Sequence, residues 1–252
     1  MREKKTVIQV LKGGSGKWLE PVLDLVYPAR CPFCDDILPF GTKGACIRCR
    51  GRVRYVGGSY CMKCGKQLSD EMEEYCRDCK GHGHAYDRGR SLYVYDDLIR
   101  ESIARFKYGG RQEYARHYGI DMVNRLGSFI SACRPDLMIP VPISKKKLIS
   151  RGYNQAELVA SHISRLTGIP VSDTIITRIT DTLPMKELSR TERMKNLKGA
   201  FKIGDVDVKC RNVLIVDDIY TTGSTIDAMA ALLKGHGVER VYFVTLSSGI
   251  II

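Results

Sequence analysis

Residues 213–226, VLIVDDIYTTGSTI, restrict the possible folds of this 252-residue chain more than any other stretch. Val213, Leu214, Ile215 and Val216 are apolar and mostly β-branched, the pattern of a strand buried on both faces. Asp217 and Asp218 follow at its carboxyl end, and then a small hydroxylated loop, Thr221, Thr222, Gly223, Ser224 and Thr225. Ile226, Met229, Ala230 and Leu233 recur at helical spacing behind the loop, with Gly235 placed to stop the helix. A doubly covered strand running into a helix predicts an α/β domain with a parallel sheet.

The residue types fit a sugar phosphate. A helix N-terminus leaves backbone N–H groups unpaired and carries partial positive charge, so it favours a phosphate. Gly223 lets the backbone approach the anion, and Thr221, Thr222, Ser224 and Thr225 add hydroxyl donors. A carboxylate pair accepts hydrogen bonds from vicinal ribose hydroxyls and can sit near a Mg²⁺ held mainly by substrate oxygens. An ATP site of the P-loop type is not supported by GGSGKW (13–18), which lacks the spacing, has Trp18 where a hydroxyl would meet the metal, and reads as a flexible lead-in.

Eight of the ten cysteines form four CxxC pairs: Cys31/Cys34, Cys46/Cys49, Cys61/Cys64 and Cys76/Cys79. Each CxxC turn presents two thiolates on one side, and two turns complete a tetrahedral Zn²⁺ site. The segment is too poor in large apolar residues to fold on burial alone, so two structural zinc ions are expected. Sequential pairing and an interleaved cross-brace both satisfy the spacing. His82 and His84 follow the last pair and could substitute for a ligand, but read first as loop residues, and Cys133 and Cys210 read as small buried residues.

The formal charge of +12 exceeds what one phosphate site needs, so a nucleic-acid partner enters as an alternative function. Tyr55, Tyr60, Phe106, Tyr108 and Tyr153 lie near basic residues where they could stack bases, although most of them read first as packing residues. No apolar run is long enough for membrane insertion, and the charged start lacks the apolar core of a signal peptide, which makes the cytoplasm the expected compartment.

Three domains are expected: a lead-in with a short helix over 1–28, a double zinc ribbon over 29–87, and an α/β domain over 88–252. RSLYVYDD (90–97) begins as a strand, and Asp96 or Asp97 caps a helix with Ile99, Ile103 and Phe106 inward and Gly109-Gly110 at its end. A second helix covers 113–132. DLMIPVP (136–142) is a buried strand leading into a basic loop with Lys145, Lys146, Lys147 and Arg151. Asn154 opens the next helix, with Ala156, Val159, Ile163 and Leu166 inward and Gly168 at its end. TIITRI (174–179) and VYFVTL (241–246) read as strands, and 180–201 as a polar, basic segment. Arg151 suits a second anion, since a guanidinium grips phosphate with two donors at once.

The stretch 213–226 resembles the 5-phosphoribosyl-1-pyrophosphate (PRPP) signature of type I phosphoribosyltransferases. That resemblance implies that Asp217 and Asp218 hold the ribose hydroxyls and residues 221–225 the 5′-phosphate. It makes the loop with Lys147 and Arg151 the pyrophosphate loop and segment 180–201 a lid bringing Arg190 or Arg193 to the leaving group. From Trp18 to Val244 the chain resembles the ComF family of phosphoribosyltransferase-like proteins tied to DNA uptake in competent bacteria. The resemblance rests on YPARCPFC, the four CxxC pairs, FKYGG (106–110), PVPISKKKLISRGYNQAEL (140–158), and Arg193, Asn196, Gly199, Ala200 and Phe201. Met185 departs from the Gln found in many relatives. The family implies Mg²⁺-dependent phosphoribosyl transfer, with a hood for the acceptor drawn from residues 88–132 or the cysteine module. Two alternatives stand beside it: a non-catalytic single-stranded-DNA-binding competence factor, and a protein whose zinc module docks a helicase-like partner of DNA uptake.

Overall fold

A computed structural model describes residues 28–179, 199–204 and 210–249. The chain forms two compact units, 1–51 and 52–252. The division falls at Gly51, inside the segment 29–87 that the cysteine spacing groups together, so the second ribbon is built into the larger unit.

In the smaller unit the turn at Cys31–Cys34 is closed by Cys31 N–H donating to Asp36 O at 2.9 Å, and α1 (Ile47–Arg50) starts directly after Cys46. The larger unit repeats this thirty residues on: Cys61 N–H donates to Lys66 O at 2.8 Å, and α2 (Arg77–Gly81) starts after Cys76. The residue before each closing acceptor lies in the left-handed region, Asp35 at φ 65° and Gly65 at φ 70°. A Cβ on Gly65 would stand 2.5 Å from the Arg90 Cα and 2.6 Å from the Gly89 carbonyl oxygen, so only glycine lets this turn close against the next strand.

The α/β part runs β1 (Arg88–Val94), α3 (Asp97–Tyr108), α4 (Tyr114–Cys133), β2 (Leu137–Pro140), α5 (Lys145–Arg151) and α6 (Gln155–Thr167). β3 (Ile176–Arg178), β4 (Phe201–Ile203), β5 (Asn212–Tyr220), α7 (Ser224–Gly235) and β6 (Arg240–Ser248) follow. The main sheet has the order β1-β6-β5-β2, all parallel, with β5 in the interior. Val213–Val216 are fully buried, as a parallel strand covered on both faces requires. Ile139, Val213, Ile215 and Phe243 share a core with Met229 and Leu233 of α7 and with Cys61 and Cys64. The alternating positions Met138, Leu214 and Val244 are equally buried and belong to the opposite face. No helix among the described residues is long and apolar enough to cross a membrane.

Caps explain the helix starts. Asp96 accepts from Ile99 N–H at 3.0 Å and opens α3; Asn154 accepts from Ala156 N–H at 3.1 Å and opens α6. Four expectations need correction. The basic stretch 145–151 is a helix, not a loop, because Ser144 caps it and Gly152 ends it around helix-forming lysines. The strand at 213 does not stop before the acids: β5 continues to Tyr220, since β6 offers Thr245, Ser247 and Ser248 as ladder partners. Leu166, expected inward, is 53% exposed on the last turn of α6. The strand at 174–179 shortens to β3 and pairs antiparallel with β4 in a separate two-stranded sheet. Residues 17–27 and 180–198, including Met185, lie outside the described residues.

Candidate functional site

β5 carries Asp217 and Asp218 to the carboxyl end of the sheet, where open α/β sheets place their ligands. The Asp218 N–H donates to Asp217 Oδ1 at 2.8 Å, which locks the first carboxylate against its own backbone. Burial pushes the Asp217 carboxyl up to about 7, and the charge of Asp218 adds to the effect, while Lys107 and Arg178 oppose it. Lys107 Nζ lies 2.9 Å from Asp218 Oδ2. The Lys147 ammonium is held below its usual range, first by burial and then by Arg178, Arg151 and Lys107. Four cations from α3, α5 and β3 thus share one field with the acid pair.

Arg151 sits on the last turn of α5 and is held from two sides. Its Nη1 donates to Gln155 Oε1 at 2.8 Å, and its Nη2 donates to the Tyr108 hydroxyl at 3.2 Å. The guanidinium also lies over the Tyr108 ring, 4.9 Å from its centroid.

The loop after β5 leads into the N-terminus of α7, which no side chain caps. Gly223 holds φ 80°, and a Cβ there would stand 2.6 Å from the Tyr220 hydroxyl. Thr222 and Ser224 pair their hydroxyls at 2.9 Å, Thr225 is half-buried and Thr221 exposed. Such an N-terminus leaves its first amides free for an anion.

The second ribbon lies beneath this loop. Tyr86 and Tyr220 join hydroxyls at 2.7 Å, and Tyr220 stacks on Phe243 with ring centroids 5.0 Å apart. Lys66, 4% exposed, places Nζ 5.4 Å from the Tyr220 ring and 3.2 Å from Asp78. Asp227, in the first turn of α7, accepts from Ala85 N–H at 2.9 Å and meets His84 Nδ1 at 2.6 Å.

The thiols fall into two sequential groups, Cys31, Cys34, Cys46, Cys49 and Cys61, Cys64, Cys76, Cys79, with all sulfurs in each group within 4.8 Å. This settles the pairing against the cross-brace. All ten cysteines are free of disulfides. Zn–S bonds of about 2.3 Å in tetrahedral geometry put neighbouring sulfurs about 3.8 Å apart. Cys34 and Cys46 stand at 3.7 Å, as do Cys64 and Cys76, so both groups fit zinc. Cys46 N–H also points at the Cys31 sulfur at 3.3 Å, the kind of donor that steadies a bound thiolate.

A double zinc ribbon domain matches residues 22–80 and a phosphoribosyl transferase domain residues 155–250. Competence protein F of Haemophilus influenzae is 30% identical over 220 residues, covering 84% of this chain and 93% of its own length. The chain belongs to the ComF family. Competence protein ComFC of Bacillus subtilis is 29% identical, over 76% of this chain and 78% of its own. DNA utilization protein YhgH of Escherichia coli K12 is 28% identical, over 86% and 96%.

Within this ComF-family chain the structure brings Asp217, Asp218, Lys147 and Arg151 into one electrostatic neighbourhood and sets residues 221–225 on the same strand–loop–helix unit. Arg190 and Arg193 lie outside the described residues. Sequence reasoning gave no role to Lys107 or Arg178. FKYGG was legible as a block, yet nothing local says that its lysine reaches a strand more than a hundred residues away. Arg178 looked like one polar residue of an ordinary strand.

Proposed function

We propose that this ComF-family protein binds PRPP at the carboxyl end of β5 and has the groups for phosphoribosyl transfer. The reading is carried by one observation: an acid pair and an uncapped, glycine-led helix N-terminus stand on a single strand–loop–helix unit, with Lys107, Lys147, Arg151 and Arg178 around the acids. Asp217 and Asp218 accept the ribose hydroxyls. The amides at the start of α7 and the hydroxyls of Thr221, Thr222, Ser224 and Thr225 take the 5′-phosphate. Lys147 and Arg151 face the pyrophosphate, where a fixed positive field stabilises the leaving group as the bond to the anomeric carbon breaks.

Mg²⁺ neutralises pyrophosphate charge when it is bound. Among the described residues the two thiol tetrads are the groups of three or more candidate metal ligands, so the ion would arrive on substrate oxygens beside the acid pair. The relatives are named for competence and DNA utilization, which supports a role for the proposed PRPP site in DNA uptake.

Isothermal titration with PRPP and Mg²⁺, against the double variant Asp217→Asn/Asp218→Asn, tests the reading. Heat with the natural protein and none with the variant is the expected result. No heat with either would overturn PRPP binding and leave single-stranded DNA as the first ligand to test. For that alternative the net charge of +12 remains, but the stacking residues thin out. Phe106 and Tyr153 are buried and Tyr55 is bonded to Asp121, which leaves Tyr108 as the well-exposed ring of the five.

A further inference from the structure

Lys107 sits between two fastened neighbours. The Tyr153 hydroxyl donates to the Phe106 carbonyl, and Arg151 donates to the Tyr108 hydroxyl. Phe106 is fully buried, with its ring centroid 6.0 Å from that of Tyr153. The last turn of α3 thereby meets Arg151 at the end of α5 and Tyr153 just beyond it, one contact on either side of Lys107. The lysine reaches Asp218 at 2.9 Å, and both side chains are 17% exposed. A cation of that burial, on a backbone held at the carbonyl just before it and followed by a side chain bonded to Arg151, is a built feature of the site and not a surface ion pair.

Its position has a chemical consequence. Two adjacent, half-desolvated carboxylates repel each other, and they repel a ligand carrying phosphate and pyrophosphate still more. A divalent ion on the ligand's oxygens is one remedy. A fixed ammonium against the second carboxylate is another, and it is present before any ligand arrives. We propose that Lys107 is a built-in counter-ion of the Asp217–Asp218 pair, a binding residue that lets the site accept a phosphorylated ribose with a reduced requirement for a divalent cation. The proposal rests on the PRPP reading.

The test compares the natural protein with Lys107→Met and Lys107→Arg, each checked for folding by circular dichroism. PRPP is the titrant, once with Mg²⁺ and once in buffer freed of divalent ions over a chelating resin, which spares the ribbons' own metal. The ratio of the two dissociation constants is the readout. For Lys107→Met it should rise by about tenfold or more, the scale of one lost charge-assisted contact, and Lys107→Arg should bring it back toward the natural value. An equal ratio in all three proteins would overturn the counter-ion role while leaving PRPP binding intact. Tighter binding by Lys107→Met in both buffers would make the lysine a competitor and also overturn it. No binding by the natural protein in either buffer would overturn both readings.

Discussion

Asp217 shows how a buried carboxyl at a candidate site weighs on the fold. Its carboxyl is raised to about 7, first by burial and then by Asp218, whereas an unfolded chain leaves it at the ordinary value of 3.8. The folded state therefore holds a proton that the unfolded state releases between those values. The contribution to stability is complete below the unfolded value and is lost as pH rises through the folded one. Asp217→Asn should consequently stabilise the protein at about pH 8, by roughly 1 kcal/mol or ~2–4 °C in Tm, with the gain shrinking toward about pH 5. Calorimetric melts across that range check it. PRPP affinity of the unsubstituted protein should move the other way, strengthening from about pH 6 to about pH 8 as the carboxylate forms, in titrations at fixed Mg²⁺. Gly223→Ala should lose about 1–3 kcal/mol, since its left-handed φ and the Tyr220 hydroxyl 2.6 Å from the added carbon both oppose a side chain. Denaturant unfolding measures that loss.

At the scale of elements, what was legible had local signals. Asp96 and Asn154 announced α3 and α6 because a cap and an apolar stripe lie within one turn of each other in the chain. The acid pair, the hydroxylated loop and α7 were legible together because they are consecutive in the chain, strand end running into helix start. α5 went unseen because three lysines look like solvated loop, although Ser144 and Gly152 frame a helix. β5 was read too short because its last residues depend on partners in β6, which no local pattern reveals. Lys107 and Arg178 joined the site through folding alone. Since α3 carries Lys107 to Asp218, its start matters at its end. Asp96→Ala should cost about 1 kcal/mol, the ordinary loss of an N-cap, read as a lower denaturation midpoint.

For the whole molecule, the two ribbons share a pattern but not a situation. The first belongs to the smaller unit, while Cys61, Cys64 and Cys76 lie in the core that also holds Tyr220, Met229 and Leu233. Cys76→Ser should thus lower the melting temperature of the larger unit and speed amide exchange through residues 221–233. Cys46→Ser should leave both unchanged. Exchange measured by mass spectrometry would separate the two variants, and equal effects would refute the assignment. The cysteine spacing announced two metal sites; it could not say which one the sheet had absorbed. Positions 35 and 65 record the difference. Both turns need a left-handed residue, but the first keeps an aspartate, and the second has a glycine because the backbone of Arg90 fills the space a side chain would take. The ribbons read as a duplicated part, one copy of which became foundation while the other stayed an appendage. A descendant could discard the appendage and still fold, whereas one that discarded the foundation would lose the floor beneath residues 221–225.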